Sequence, residues 1–281
     1  MDGGLPCPSV LELTRTVRFA VGPGAGDPSS DAVNGFAGHP AMAGLGAHYE
    51  LDITCRGDAD LTTGYSRNIT RIDAAARARA IPPIAHAFAD REPDPARVLR
   101  QAWAALTTDL PTIARLRWRL SPTYSIELER PDMNAVLLRQ SFEFAAAHRL
   151  HAPDLSAQEN RAVFGACNNP AGHGHNYRVE PCVRAPLRER GAPAFTLRDL
   201  ERITNDTLIK HLDHTHLNTD VPEFAELNPS VENIARVCYE RLAPAIQAAG
   251  VELRSVTIWE TEKTSCTYPA REVMPTAKDN T

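Results

Sequence analysis

Residues 164–177 read Phe-Gly-Ala-Cys-Asn-Asn-Pro-Ala-Gly-His-Gly-His-Asn-Tyr. His173 and His175 are two positions apart, the strand period, so both imidazoles leave the backbone on the same side. Two neutral imidazoles on one face can hold one Zn²⁺ at about 2.0–2.1 Å each. The Pro and Gly residues ahead of them mark a turn, and a turn there can fold Cys167 back over the metal. A structural zinc knot with Cys167 as a ligand is the plain alternative to a catalytic centre.

Upstream, Val136–Ala147 reads as a strand that ends at His148. Beside His173 and His175 in an antiparallel sheet, His148 is the natural third ligand. Three histidines leave the fourth tetrahedral position open, as in a catalytic zinc site. Ser156–Phe164 reads as a short helix opened by a capping box, Ser156 with Glu159. Downstream, His175–Arg184 is a strand, Thr196–His211 a helix with Asp199 in its first turn, and 214–228 a loop. Ser230–Ala249 is a long helix with Gly250 past its end. Ser255–Glu260 and Ser265–Tyr268 form a hairpin.

Within His211-Leu-Asp-His-Thr-His216, the pair Asp213 and His214 suits a proton relay, because a carboxylate fixes the imidazole tautomer and raises its basicity. Cys167, near a histidine and a metal, can be held as a thiolate base. His211 and His216 read as solvated helix-end residues. Glu260, at a strand end, can clamp a flat heterocycle through two parallel hydrogen bonds.

The first half repeats this order. Residues 1–13 read as a loose leader, Thr14–Val21 and His48–Arg56 as strands, and 22–44 as a Gly/Pro-rich loop. Thr70–Phe88 is helix-like but interrupted by Pro82 and Pro83. Arg97–Leu106 is a helix started by Asp94 and Pro95, and Ala114–Leu120 with Tyr124–Arg130 is a hairpin. Laying Phe19 on Phe144 and Tyr49 on Tyr177 sets Pro23 against His148, Leu45 against His173, Ala47 against His175 and Leu120 against Glu260. The first copy therefore lacks the metal set, and His39, His48 and His86 read as ordinary surface or loop histidines.

The bulk composition fits a folded globular protein. The chain has 281 residues, 43% hydrophobic and 23% charged, with net charge −5. That charge argues against general phosphate-backbone binding, and no stretch approaches the ~20 apolar residues of a membrane span. The N-terminus lacks the pattern of a signal peptide. Six scattered cysteines suggest no disulfide framework and point to a cytoplasmic location.

Together these stretches resemble the 6-pyruvoyltetrahydropterin synthase and 6-carboxytetrahydropterin synthase (queuosine biosynthesis) family. The resemblance rests on Phe-Ala-Ala-Ala-His-Arg-Leu, Cys-Asn-Asn-Pro-Ala-Gly-His-Gly-His-Asn-Tyr, Leu-Asp-His-Thr-His-Leu-Asn, Asn-Pro-Ser-Val-Glu-Asn-Ile-Ala and Trp-Glu-Thr. It covers about residues 138–270. It implies an α+β architecture of tandem tunnelling-fold (T-fold) domains, each a four-stranded antiparallel sheet with two helices on one face. Residues 14–132 would be a degenerate copy and 136–272 the catalytic domain.

The resemblance further implies zinc on His148, His173 and His175, with Cys167 as base. Asp213 and His214 complete the relay, and Glu260 and Ser230 bind the pterin. The substrate implied is 7,8-dihydroneopterin triphosphate, in a homo-oligomer with active sites at subunit interfaces. Val231 departs from the small hydroxyl residue that many relatives carry there. The five residues between Cys167 and His173 look like the pyruvoyl branch. Both branches use the same catalytic set, so the reading stops at the chemistry they share. A non-catalytic zinc- or pterin-binding assembly protein is the competing class, and it would not need Cys167.

Overall fold

The computed structural model of the protein describes residues 10–23, 34–42, 44–92, 94–188 and 193–270. The chain forms two compact units, Met1–Leu138 with Ala185–Ala194, and Arg139–Arg184 with Phe195–Thr281.

The first unit opens with β1 (Leu11–Val21) and β2 (Ala47–Gly57). Helices α1 (Ile69–Ala75), α2 (Ile81–Ala89) and α3 (Pro95–Leu106) follow. Strands β3 (Ile113–Arg119) and β4 (Tyr124–Glu129) close it. The sheet runs β1-β2-β3-β4, every pair antiparallel. Residues directly opposite one another share a face. Val17, Leu51, Trp118 and Ile126 therefore line one side, and all four are buried. The helices bury Ile72, Ile84, Leu99 and Leu106.

Two expectations change here. Residues 11–13 belong to β1 rather than to a leader, and residues 1–9 lie outside the described part. Pro82 and Pro83 do not break the helix. A π-helical turn, Ala76–Ala80, joins α1 to α2, and the prolines stand in the first turn of α2. A proline ring clashes with the carbonyl four residues back and leaves an N–H missing. The widened turn before them accommodates both defects. By contrast, Asp94 caps α3 as expected, accepting from the amides of Ala96 and Arg97 at 3.0 and 3.3 Å.

The chain passes to the second unit through β5 (Ala135–Gln140). There follow β6 (Phe142–His148), α4 (Ala157–Phe164), a 3₁₀ turn at Gly165–Asn168 and β7 (His173–Pro186). Next come α5 (Leu197–Thr204), a π-helical turn at Asn205–Ile209 and α6 (Lys210–Leu212). Short β8 (Thr215–His216) and α7 (Leu217–Asp220) lead to α8 (Val231–Ala248), β9 (Glu252–Thr261) and β10 (Thr264–Tyr268). The order β6-β7-β9-β10 is antiparallel throughout, and β8 adds a parallel bridge to β6. The strand expected over Val136–Ala147 is interrupted at Ser141, whose hydroxyl turns to Glu180 at 3.0 Å. The loop expected over 214–228 contains β8, α7 and a 3₁₀ turn.

The expected capping box of Ser156 with Glu159 forms on α4, and Thr196 with Asp199 makes a second one on α5. Each unit is a four-stranded antiparallel sheet with two helical segments inserted between its second and third strands, so the chain is α+β with tandem T-fold units. Among the described residues no helix is long and apolar enough to cross a membrane.

Candidate active site

The β6–β7 register sets His148 opposite His173, Ala146 opposite His175 and Phe144 opposite Tyr177. Opposite residues share a face, and alternation then puts all three imidazoles and Tyr177 on one side of the sheet. The pairing of Val179 with Ile258 carries Glu260 to the same side. Pleat and register are thus enough to gather these groups.

One potential ligand atom from each of His148, His173 and His175 lies within 4.8 Å of the other two. The Nε2 atoms of His148 and His173 are 3.2 Å apart. Two nitrogens bound to one tetrahedral zinc stand roughly 3.3 Å apart, so the spacing fits a shared ion. His148 is fully buried, and its Nδ1 donates to the carbonyl of Pro229 at 2.8 Å. That bond fixes the proton on Nδ1 and turns the Nε2 lone pair toward its neighbours, the usual backing of a metal-bound histidine. Among the described residues, buried His173 Nδ1 and His175 Nε2 find no hydrogen-bond partner. Burial pushes the imidazoles of His148 and His175 below their ordinary range, which keeps them neutral and competent to ligate.

Glu260 Oε1 lies 3.5 Å from His148 Nε2 and 3.8 Å from His175 Nε2. Tyr177 is fully buried, and its hydroxyl has no hydrogen-bond partner among the described residues. Burial, then the charges of Glu260 and Cys167, push this phenol up, so it stays a neutral donor. The sequence reading missed Tyr177, although it sits two residues beyond His175 on the same strand face.

Cys167 is half-exposed in the 3₁₀ turn and is not one of the grouped ligands. Its carbonyl accepts from Leu150 N at 2.9 Å, while Asn168 Nδ2 donates to the Leu150 carbonyl at 2.7 Å. Asn218 and Asn228 hold the same segment, accepting from Arg149 N at 2.8 Å and His151 N at 3.1 Å. Buried Asn160 accepts from Ala152 N at 2.8 Å. These asparagines replace the ladder that ends at His148, and they were also missed. Gly172 needs its left-handed φ of +73°, and a Cβ there would stand 2.7 Å from His216 Nε2. His216 is therefore packed rather than solvated as expected, while His211 is exposed.

Asp213 and His214 form a second cluster at the edge strand. Asp213 Oδ1 accepts from Ala145 N at 2.8 Å, and its Oδ2 is 2.9 Å from His214 Nδ1. The Ala145 amide and the His214 ring hold this carboxyl below its usual range. His214 has φ +60°, and its backbone N–H donates to the Ala145 carbonyl. Its side chain is 83% exposed, and with His175 it lines an open cavity of about 420 Å³. Among the described residues no hydrogen bond joins this pair to Cys167. The Ser230 hydroxyl is engaged as the cap of α8, accepting from Asn233 N at 3.5 Å.

The family model for 6-pyruvoyl tetrahydropterin synthase matches residues 137–271. The 6-pyruvoyl tetrahydrobiopterin synthase of Poecilia reticulata is 40% identical over 126 residues, 44% of this chain and 84% of that protein. The chain belongs to the 6-pyruvoyl tetrahydropterin synthase family. A putative 6-carboxy-5,6,7,8-tetrahydropterin synthase from Archaeoglobus fulgidus is 34% identical over 90 residues, 32% of this chain and 69% of its own. The solved 6-pyruvoyl tetrahydropterin synthase of Caenorhabditis elegans is 34% identical, with TM-score 0.46, covering 50% of this chain and 98% of that one. The synthase match falls on the part of the chain that carries the three histidines.

Proposed function

We propose that residues 136–272 form a zinc-dependent lyase domain acting on 7,8-dihydroneopterin triphosphate, and that residues 14–132 are a degenerate copy serving as scaffold. The observation that carries this reading is the trio of imidazoles on one sheet face, with two Nε2 atoms 3.2 Å apart and Glu260 beside them. Bound zinc would supply Lewis acidity toward the side-chain oxygens of the pterin. His148, His173 and His175 would hold the ion, and the Pro229 carbonyl would orient His148. Glu260 would anchor the flat ring through adjacent N–H donors, with Ser230 close to it in the substrate site. Cys167 would move the proton at the side-chain carbon, and Asp213 with His214 would exchange it with solvent. Elimination of triphosphate gives 6-pyruvoyltetrahydropterin, whereas loss of triphosphate together with cleavage of the side chain, which releases its outer two carbons as acetaldehyde, gives 6-carboxytetrahydropterin.

The free cysteines favour a reducing, cytoplasmic setting. The chain is further proposed to assemble with copies of itself. If its two units replace two subunits of a six-membered ring, three chains complete one, and solution mass tests this. For the activity, the protein is incubated with 7,8-dihydroneopterin triphosphate, with zinc or with a chelator, and the products are weighed. A zinc-dependent pterin product is expected, and its mass names the branch. Zinc bound without turnover would reduce the domain to a binding module.

A further inference from the structure

The first unit has lost the catalytic set but has kept a hollow where that set would stand. The strand registers put Leu120 where the second unit has Glu260. Counted from the two π-helical turns, Ile84 and Ala85 stand where the second unit has Asp213 and His214. These three residues, with Tyr49 and Trp118, line an open cavity of about 1110 Å³. Its volume is just above the roughly 300–1,000 Å³ of small-molecule sites.

The walls are apolar and aromatic, with Tyr49 and Trp118 meeting edge to face at 5.2 Å. Glu92, the acid among the described lining residues, is engaged by Arg97. Exposed Arg91 also lines the cavity, has no ion-pair partner among the described residues, and is held at φ +55° by the end of α2.

We propose that this cavity binds a small aromatic ring system bearing one anionic group, with the ring against the half-buried Tyr49, Ala85 and Leu120 and the anion at Arg91. The site is separate from the proposed catalytic centre, and its chemistry needs no metal.

The test uses the full chain and two fluorescent probes of the same shape, anionic 8-anilinonaphthalene-1-sulfonate and uncharged N-phenyl-1-naphthylamine. One sulfonate probe per chain is expected. Ala85→Trp fills the cavity and should weaken both probes roughly tenfold or more, the loss of about 1.4 kcal/mol. Arg91→Gln should weaken the sulfonate by about 2–5-fold, the worth of an exposed ion pair, and leave the neutral probe unchanged. His175→Ala, in the second unit, should alter neither. Unchanged binding in Ala85→Trp, or loss in His175→Ala, overturns the proposal. If circular dichroism shows Ala85→Trp misfolded, Trp118→Phe decides. Energy transfer from tryptophan to the bound probe should fall markedly, and unchanged transfer overturns the proposal.

Discussion

The two units share a sheet order and a central aromatic pair but differ in what stands at the strand ends. Phe19 lies opposite Tyr49 with ring centroids 6.0 Å apart, and Phe144 lies opposite Tyr177 at 5.0 Å. Beyond that pair the second unit continues to His175, His173 and His148, and the first to Ala47, Leu45 and Pro23. The framework is therefore indifferent to the chemistry mounted on its rim. Leu45 is 93% exposed and touches little, whereas His148 is fully buried. A buried polar ring must have partners, and here the Pro229 carbonyl and the His173 imidazole supply them.

This contrast can be broken most severely at the ligands. His173→Ala should remove bound zinc and reduce turnover to background, whereas Leu45→Ala, its counterpart, should change neither. Metal analysis of the purified protein, with product formation, decides between them. Cys167→Ala should lower turnover by about 10²–10⁴-fold, the range for a lost general base, with zinc retained. Loss of zinc in that variant would instead make Cys167 a structural ligand.

The shared framework predicts matched losses. Phe19→Ala and Phe144→Ala should each destabilise the unit that carries them by about 3–5 kcal/mol, read as separate shifts in a denaturant titration. Saturating zinc should stabilise the second unit only, since a ligand stabilises the fold that binds it.

The smallest expected effect concerns acid. Asp213 has its folded pKa depressed by the Ala145 amide and His214, so its contribution is present above the unfolded value near 3.9 and fades as pH falls through the lower, folded one. Asp213→Asn keeps an oxygen for the Ala145 amide but cannot titrate. Its stability should therefore fall less steeply below about pH 4 than that of the unaltered protein, with melting temperature as the readout. At Ile84 the first unit has nothing to titrate.

Much of this was legible in the residues. Period-two spacing placed His173 and His175 on one face, the capping box of Ser156 with Glu159 was plain, and Asp199 marked the first turn of its helix. The faint match of Phe19 with Phe144 and Tyr49 with Tyr177 gave the same correspondence that the registers give. What escaped notice lacked a side-chain signal. The Pro229 carbonyl that orients His148 is backbone. Asn168, Asn218 and Asn228 fell in turns and loops and their hydrogen bonds reach distant segments, while Asn160 sat within an expected helix and bonds back to the turn before it. Pro82 and Pro83 carried a strong local preference for a break, which the wide turn before them overrode. The hollow in the first unit arises from small and apolar residues on separate elements, a pattern that resembles an ordinary core.

That wide turn also carries a chronology. Ala76–Ala80 and Asn205–Ile209 occupy matching places in the two units. An extra residue wedged into a helix is costly to acquire twice at one spot. If residues 14–132 are the degenerate copy proposed above, the insertion predates the point at which the two halves came to differ in their histidines and in Asp213.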